Sequence, residues 1–362
     1  MGWFSDRIVE WQRAHGRHDL PWQGTRDPYR IWVSEIMLQQ TQVAAVIPYY
    51  LRFVARFPDV RALAAATPDE VMRLWSGLGY YSRARNLHGC AQRVVADFGA
   101  QFPHSADALA DLPGIGRSTG AAIAAFAFGE RVAILDGNVK RVLCRFEAVE
   151  GYPGAGPVER RLWEIAAREL PDGEIEAYTQ GLMDLGATLC SRSKPACGQC
   201  PLRERCVASA EGRTAELPTR KPRRVVPVRE TTMLVLRRGD EVCLERRPPT
   251  GIWGGLWSLP ELPVASPDSV AGMLDARFGL AEYARAELPP FEHAFTHFRL
   301  RVRALLLDVG ARAATPPGAA QQGAALWLPL TEVDGAALPR PVKSLLQRLR
   351  DGDGDGARRP AG

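Results

Sequence analysis

The sequence has little net charge for its length and no long apolar segment. Its 362 residues carry a formal charge of only +5, which excludes a strongly basic surface as the source of any affinity for nucleic acid. No apolar run reaches the roughly 18–20 residues that span a bilayer, and residues 1–7 lack the basic stretch and apolar core of a signal peptide. We therefore expect a cytoplasmic protein without a membrane partner, and a monomer.

The small charge is unevenly spread, which helps to divide the chain. Residues 211–229 hold +4 of the net +5 and contain three prolines, which is typical of an extended linker. Residues 1–210 place apolar side chains at helical spacing between proline and glycine breaks, and this predicts an all-α domain. Residues 230–350 predict an α+β domain, and residues 351–362 a disordered tail.

The α+β domain is predicted from four local patterns. A hairpin is expected where Thr231–Leu236 and Glu241–Glu245 flank a short turn. Pro267–Phe278 predicts a helix, Phe291–Asp308 alternates like one strand, and Pro341–Leu349 resembles a closing helix with proline in its first turn.

Only seven cysteines are present, and four of them lie within seventeen residues, in the spacing Cys-x6-Cys-x2-Cys-x5-Cys: Cys190, Cys197, Cys200 and Cys206. In a reducing compartment such a group indicates a metal site. Four thiolates this close can hold one iron–sulphur cluster. Zinc is the alternative, although it more often uses two Cys-x-x-Cys pairs and only one is present. The remaining three are expected to be buried: Cys90, Cys144 and Cys243.

A glycine-containing turn precedes an alanine-rich helix at Pro113-Gly114-Ile115-Gly116-Arg117. Two glycines two positions apart allow a tight turn and a close approach to a partner. The N–H groups that start the next helix can then bind a phosphate without net charge. An ordinary loop is the alternative, but the position between two helical segments favours a hairpin that binds DNA.

Two acids, Glu35 and Asp136, stand in contrasting surroundings. Glu35 lies among apolar residues, which would raise its pKa, whereas Asp136 precedes a helix that starts near Asn138. Two such carboxylates can cleave a glycosidic bond, one as the proton donor and one as the anion that stabilises the sugar cation. The alternatives are an exposed helix face for Glu35 and a helix N-cap for Asp136, and a cap is compatible with the catalytic role.

Taken together, these motifs resemble the helix-hairpin-helix DNA glycosylases that carry an iron–sulphur cluster, and most closely their MutY-type, adenine-excising branch. The resemblance covers residues 5 to 350 and includes, besides the hairpin and the cysteines, four further segments: Leu20-Pro21-Trp22, Ser34–Gln42, Gly77–Tyr81 and Leu135–Val139. It implies a helical domain made of a six-helix barrel module and an iron–sulphur module, followed by a Nudix-like α+β domain. It also implies one 4Fe–4S cluster held by the four cysteines.

The resemblance implies roles for individual residues. Glu35 is then the general acid, Asp136 the carboxylate that faces the sugar cation, and Asn138 a support for the transition state. Three residues resemble the adenine pocket, namely Leu20, Trp22 and Gln180. Gln40 and Tyr80 resemble residues that enter the base stack beside an extruded base. The hairpin resembles a clamp on the DNA backbone, and its members are Pro113, Gly114, Ile115, Gly116 and Ser118.

Ser118 distinguishes between branches of the family. Bifunctional relatives carry a lysine directly after the hairpin arginine, and the present chain has serine there. Without that amine no Schiff base forms with the sugar, so the resemblance implies a monofunctional glycosylase. An endonuclease III-like enzyme for oxidised pyrimidines is the alternative, and a DNA-binding protein without activity is a more distant one.

The second domain resembles the Nudix-like domain with which adenine glycosylases recognise 8-oxoguanine. Phe295, Thr296 and His297 resemble its recognition loop, although the family usually has serine at the middle position. A nucleotide pyrophosphatase would need a set of acidic residues that hold magnesium, and no such set lies between Leu259 and Phe278. The implied substrate is therefore duplex DNA with adenine opposite 8-oxoguanine or guanine.

Overall fold

The protein is described by a computed structural model that covers residues 2–222, 225–262, 267–278, 283–295, 297–309 and 325–352. It forms two compact units. Unit 1 contains residues 1–66 and 85–223, and unit 2 contains residues 67–84 and 224–362. Within the described ranges, no helix is long and apolar enough to cross a membrane.

Unit 1 is helical, which confirms the all-α prediction. Its helices, with α6 starting three residues inside unit 2, are α1 (Trp3–His15), α2 (Pro28–Leu38), α3 (Val43–Arg56), α4 (Val60–Ala65), α6 (Ser82–Phe98), α7 (Ala106–Ala110), α8 (Arg117–Phe128), α9 (Gly137–Phe146), α10 (Gly156–Arg168), α11 (Ile175–Thr188) and α12 (Val207–Ala210). Short 3₁₀ turns lie at Cys197–Gln199 and Arg203–Arg205. Helix α11 packs against α1, α8 and α9, and α2 packs against α3 and α8.

The core of unit 1 is built from large aromatic and aliphatic side chains. The largest fully buried ones include Phe4, Ile8, Trp32, Tyr50, Phe53, Phe57 and Tyr178. Burial of each such side chain stabilises the fold by about 1.5–3 kcal/mol. Because α2 gives most of its surface to this core, the single acid in its sequence, Glu35, has a defined position and direction.

The hairpin between α7 and α8 depends on two glycines. Gly114 has a φ of +79°, a conformation that residues with a Cβ rarely adopt, and a Cβ there would lie 2.6 Å from the Cβ of Asn86. Gly120 lets α8 approach α7, because a Cβ on it would lie 2.7 Å from the carbonyl oxygen of Ala106. The tight turn predicted over Gly114 and Gly116 is confirmed, with Gly116 as the residue before α8. Gly120 lies inside α8 and was not part of that prediction.

Unit 2 combines a helical segment from residues 67–84 with a mixed sheet. Its elements are α5 (Pro68–Trp75), β1 (Val228–Arg238), β2 (Glu241–Arg246), β3 (Trp257–Ser258), β4 (Glu261–Leu262), α13 (Pro267–Phe278), β5 (Ala284–Ala294), β6 (Arg299–Asp308), β7 (Ala325–Pro329) and α14 (Arg340–Arg350). In the described part of unit 2 the strand order is β3-β2-β1-β6-β5, with β4 paired to β1 and β7 to β2. The α+β prediction, its hairpin and its two helices are confirmed.

Within unit 2, residues 67–84 contact the sheet domain through polar groups. Asp69 pairs with Arg246 at 2.5 Å, and the Ser76 hydroxyl donates a hydrogen bond to the carbonyl oxygen of Leu338 at 3.1 Å. These contacts explain why the segment belongs to unit 2, although its sequence pattern gave no reason to separate it from residues 1–210.

Two sequence predictions need correction. Phe291–Asp308 is two antiparallel strands, because the chain turns between Ala294 and Arg299, where the Phe295 amide donates to the carbonyl oxygen of Phe298 at 2.9 Å. The linker is also shorter than predicted, since Val228 already pairs with Arg299. At its other end Leu217 is buried and accepts a hydrogen bond from Arg145. The predicted disordered tail lies mostly outside the described residues, from residue 353 onward.

We expect Gly120→Ala to destabilise unit 1 by about 1–3 kcal/mol, because the added methyl group meets backbone atoms that cannot move aside. Gly89→Ala is the matched control: it changes another glycine within a helix, and nothing lies within 4 Å of its Cβ position. The control should stabilise the protein by up to about 1 kcal/mol. Denaturant unfolding of the full chain measures both, and a Gly120→Ala protein as stable as the control would contradict this packing.

Candidate active site

Two cavities in unit 1 bring together eight of the predicted site residues. The first, of about 500 Å³, is lined by Leu20, Trp22, Glu35 and Gln180 among others. The second, of about 410 Å³, is lined by Glu35, Gln40, Ser118, Asp136 and Asn138 among others. Glu35 lines both. The three residues predicted for a base pocket therefore share one cavity, and those predicted for the sugar share the other with Gln40 and Ser118. Tyr80 and the hairpin residues 113–116 line neither cavity.

The direction of Glu35 follows from how α2 is built. Asp27 caps this helix by accepting a hydrogen bond from the Tyr29 amide, and Pro28 occupies its first turn. Trp32 and Ile36 are buried in the core, and Glu35 lies between them in sequence, on the face that borders the cavities.

Burial sets the protonation of Glu35. Loss of water, with a smaller contribution from the charge of Asp136, raises the pKa of Glu35 to about 8. The carboxyl group is consequently protonated at neutral pH. Glu35 can therefore donate a proton, which an ordinary surface glutamate at this pH cannot do.

Asp136 is held by the helix that it starts. Its carboxylate caps α9 by accepting a hydrogen bond from the Val139 amide at 2.7 Å. Burial raises the pKa of Asp136, while the amides of Val139 and Asn138 and the charges of Arg141 and Lys140 oppose that rise. Glu35 has no such donors among the causes of its shift, so of the two acids Asp136 is the one whose surroundings favour the negative charge. The N-cap prediction is confirmed, and the cap fixes the carboxylate in position.

Ser118 takes part in the same arrangement. Its hydroxyl accepts a hydrogen bond from the Leu135 amide at 2.9 Å, directly before Asp136. No lysine is among the residues that line either cavity in the described chain. The site therefore offers no amine as a nucleophile.

The hairpin presents donors at the start of α8. Gly116 is the N-cap residue and supplies no side chain to the first N–H groups of the helix. These groups are suited to an anion such as a phosphate. Pro113 is half-buried and Ile115 fully buried, so the turn is anchored while Gly114 and Gly116 are exposed.

Gln40 and Tyr80 share an unusual backbone conformation. Gln40 has a φ of +56° and Tyr80 a φ of +48°, which few residues other than glycine adopt. Both side chains are exposed, and 47% of the Tyr80 surface is accessible. In unit 2 the Arg83 guanidinium lies 5.5 Å from the centre of the Tyr80 ring. Such strain at exposed residues is typical of functional positions.

Helix α9 connects Asn138 to the cysteine loop through Arg141, a residue that sequence reasoning missed. Arg141 donates hydrogen bonds to the side-chain oxygen of Asn138 at 2.8 Å, to the carbonyl oxygen of Cys190 at 2.7 Å and to that of Gly186 at 2.6 Å. Arg145, one turn further on, donates to the Cys190 sulphur at 3.3 Å. The helix that starts at Asp136 thus also supports the loop.

The four clustered cysteines line one small cavity in unit 1. Burial, together with repulsion from the other three thiols, raises the pKa of Cys200 to about 11, and burial likewise raises the pKa of Cys206. Within the described ranges, no three or more histidine, cysteine or acidic side chains are grouped as a single metal ion requires. The other three cysteines are buried, as predicted.

A buried ion pair beside the first cavity was also missed. Asp184 is 1% exposed and pairs with Arg17 at 2.5 Å, and it accepts a hydrogen bond from the Gln180 amide at 2.8 Å. Arg17 lines both cavities. The partners are 167 residues apart in sequence, so the only available signal was the helical spacing of Gln180 and Asp184.

In unit 2, Phe295 and His297 lie in the turn between β5 and β6, and Thr296 lies outside the described residues. The Phe295 ring stacks on Phe298 at 4.5 Å and meets His293 and Trp253 at 4.7 and 5.7 Å. His297 is exposed. The turn therefore combines an aromatic cluster with an exposed imidazole.

Family models match both parts of the chain. Residues 33–168 match the HhH-GPD superfamily of base excision DNA repair proteins, and residues 231–348 match the NUDIX domain. These matches define a base excision repair protein of the helix-hairpin-helix class with a NUDIX domain, as the fold and the paired carboxylates indicate. A solved thermostable thymine-DNA glycosylase is 32% identical, with a TM-score of 0.51, and covers 57% of this chain and 95% of its own.

The curated relatives indicate a more specific family than the two domain matches do. The adenine DNA glycosylase of Buchnera aphidicola from Schizaphis graminum is 31% identical over 344 residues, which is 95% of this chain and 98% of that relative. The adenine DNA glycosylase of Homo sapiens is 32% identical over an alignment of 411 positions, which covers 95% of this chain and 73% of that relative. The chain belongs to the adenine DNA glycosylase family, and the predicted family is confirmed.

The raised pKa of Glu35 predicts a pH-dependent loss of stability. The unfolded chain releases this proton near pH 4.5 and the folded chain only near pH 8, so the folded state loses stability as the pH rises between these values. We expect Glu35→Gln, which has no proton to lose, to unfold at higher denaturant than the wild type, by a margin that grows from pH 5 to 8 and is constant above.

Glu164→Gln is the control for this measurement, because Glu164 is an exposed acid whose partner Arg161 lies on the same helix. Its effect should stay within about 0.5 kcal/mol at each pH. A margin for Glu35→Gln that did not change with pH would contradict the proton on Glu35.

Proposed function

We propose that the chain excises adenine from duplex DNA in which adenine is opposite 8-oxoguanine or guanine, by hydrolysis of the N-glycosidic bond. The observation that carries this proposal is the position of Glu35, a protonated acid shared by two cavities and paired with the anchored carboxylate of Asp136. Membership of the adenine DNA glycosylase family supports the same reaction.

The geometry accounts for each step of the hydrolysis. With an extruded adenine in the first cavity, the glycosidic bond lies near Glu35, where the two cavities meet. Glu35 donates its proton to the base as the C–N bond breaks and its electron pair moves to the base. Asp136 stabilises the positive charge on the sugar. Water then adds to the anomeric carbon and returns a proton to the Glu35 carboxylate.

The surrounding residues supply binding and position. Leu20, Trp22 and Gln180 enclose the base in the first cavity. Gln40 enters the space that the extruded nucleotide leaves, which offsets part of the unstacking cost of a few kcal/mol. Tyr80, in unit 2, offers an exposed ring that can stack on a base. The first N–H groups of α8 bind a backbone phosphate. Asn138, held by Arg141, fixes the segment of protein beside the sugar.

We infer a monofunctional enzyme. A combined glycosylase and lyase needs an amine that attacks the sugar, whereas Ser118 occupies the position of that amine and its hydroxyl is bonded to the Leu135 amide. An endonuclease III-like activity on oxidised pyrimidines is the alternative, and neither the serine nor the NUDIX domain favours it.

We further propose that the turn between β5 and β6 recognises 8-oxoguanine. Phe295, Thr296 and His297 offer an aromatic ring, a hydroxyl group and an imidazole, which together can stack on a base and bond to its edges. The observation in favour is the aromatic cluster of Phe295 with an exposed His297 beside it.

One 4Fe–4S cluster is proposed for the cysteine loop of residues 190–206. The shared cavity supports it, because four cysteines that line one space are close enough to hold one cluster as thiolates. When bound, the cluster would tie the loop into one structure. Four basic residues in this loop are all exposed and available to phosphates: Arg192, Lys194, Arg203 and Arg205. A cytoplasmic, monomeric protein remains our prediction.

The main test is single-turnover excision on duplexes with adenine opposite 8-oxoguanine, adenine opposite guanine, and thymine glycol, each read by strand cleavage after alkali. We expect cleavage of the first two and not of the third. Glu35→Gln should lose at least about 100-fold in rate and keep its affinity for the duplex, because general acid catalysis contributes about 10² to 10⁴-fold. The wild-type rate should fall above pH 8, where Glu35 loses its proton.

Borohydride added to the same reactions checks whether the enzyme is monofunctional. No stoichiometric adduct between protein and DNA is expected, and such an adduct would refute that inference. Substantial excision by Glu35→Gln would remove Glu35 from the role of the acid.

We expect Cys200→Ser to abolish the visible absorption of an iron–sulphur cluster and to lower bound iron and acid-labile sulphide together. Cys90→Ser is the matched control, because Cys90 is buried and distant in sequence from the loop. Metal analysis of the purified wild type decides between the alternatives. Zinc without sulphide would contradict the cluster.

His297→Ala should lower the ratio of excision rates for adenine opposite 8-oxoguanine over adenine opposite guanine by about tenfold, since each lost contact to a base costs about 1–3 kcal/mol. Ser344→Ala, an exposed change in the same unit, should leave this ratio as it is. An unaltered ratio in His297→Ala would argue against recognition by this turn.

A further inference from the structure

Asp184 is a buried acid beside the first cavity with a full set of hydrogen-bond donors. It lies on α11, four residues after Gln180, and is 1% exposed. One carboxylate oxygen accepts from the Arg17 side chain at 2.5 and 2.7 Å and from the Gln180 amide nitrogen at 2.8 Å. The other accepts from the backbone amide of Arg17 at 2.8 Å. All four contacts bring a nitrogen donor to the carboxylate, so both of its oxygens act as acceptors.

The chemistry of Asp184 determines how the Gln180 side chain is oriented. The Asp184 oxygen beside Gln180 accepts hydrogen bonds, whereas a glutamine amide has an NH₂ group on one side and a carbonyl oxygen on the other. Gln180 must therefore turn its nitrogen toward Asp184 and its oxygen away. Gln180 lines the first cavity, and among the described residues no donor bonds to its side-chain oxygen. That oxygen is an available acceptor.

We propose that Asp184, held by Arg17, is the positioning residue that fixes the Gln180 amide with its oxygen toward the base, and so makes the cavity selective for purines with an amino group at C6. The inference rests on the proposed function, since it requires a purine in this cavity. In this proposal Glu35 contacts the reacting base and Gln180 forms a hydrogen bond to the edge of that base, while Asp184 acts only through Gln180.

The orientation separates two kinds of purine. The exocyclic amino group of adenine donates to the Gln180 oxygen, whereas the C6 oxygen of hypoxanthine would face it as a second acceptor. A site built to bond a donor discriminates strongly against an analogue that lacks the donor, because buried polar groups are then left unpaired. The ion pair of Arg17 and Asp184 is therefore a source of selectivity without itself contacting the base.

Asp184→Asn tests this with a minimal change of shape. The oxygen that accepts from Gln180 also accepts from the Arg17 side chain, and the other oxygen accepts from the Arg17 backbone amide. An asparagine has only one oxygen, so one of these two sides loses its acceptor and meets an NH₂ group instead. When that NH₂ group lies on the side shared with Gln180, the Gln180 amide has to reverse, so it is no longer fixed with its oxygen toward the base. We expect the ratio of kcat/KM for adenine over hypoxanthine, each opposite 8-oxoguanine, to fall at least about tenfold. The ratio of dissociation constants for the two bases on uncleavable 2′-fluoro nucleotides should fall in the same direction.

Two further variants separate positioning from a general structural role. In the Gln180→Leu background, Asp184→Asn should change the ratio by less than about twofold, because the amide that it orients is absent. Glu174→Gln, the same acid-to-amide change directly before α11, should leave the ratio unaltered, since Glu174 pairs with Arg13 on the protein surface.

The outcomes are distinguishable. A wild type that does not excise adenine overturns the proposed function and this inference with it. An active wild type whose Asp184→Asn variant loses both activities equally, or shows the same ratio change with and without Gln180, overturns this inference alone.

Discussion

The site depends on one constraint, which is that a carboxyl group must stay protonated at neutral pH. Removal from water is the largest cause for Glu35, with a smaller contribution from the charge of Asp136. Helix α2 provides the burial by placing the acid between the buried residues Trp32 and Ile36. The same desolvation raises the pKa of Asp136, but the N–H groups at the start of α9 oppose that rise, so one helix cap distinguishes two acids that share a cavity.

Helix α9 connects the two acids to the cysteine loop of unit 1. Its first residue follows Asp136, its first turn holds Asn138, and its later turns place Arg141 and Arg145 against the cysteine loop. A displacement of the loop would therefore change the surroundings of Asn138. This contact gives the cysteines a structural connection to the site, although they lie outside both cavities and take no part in proton transfer.

Much of this was predictable because the signals are local. The cap at Asp136, the turn at Gly114 and Gly116, and the first hairpin of unit 2 each depend on a few adjacent residues. The single strand predicted over Phe291–Asp308 was wrong because the turn at Phe295–Phe298 contains neither glycine nor proline, and the alternation continues across it. Two ion pairs join distant parts of the chain, Arg17 with Asp184 and Asp69 with Arg246. No local sequence pattern predicts them.

The low net charge also has a physical explanation in the structure. A domain that binds DNA by overall charge is attracted equally to every sequence and every base pair, and salt weakens it strongly. Here the candidate phosphate contacts are concentrated in two places, the N–H groups at the start of α8 and the exposed basic residues of the cysteine loop. Contacts of this kind fix where the protein lies on the duplex more than they add to its affinity for DNA. An enzyme that must place one nucleotide beside Glu35 gains more from a fixed position on the DNA than from higher affinity. Catalysis depends on the distance between the glycosidic bond and the single proton of Glu35.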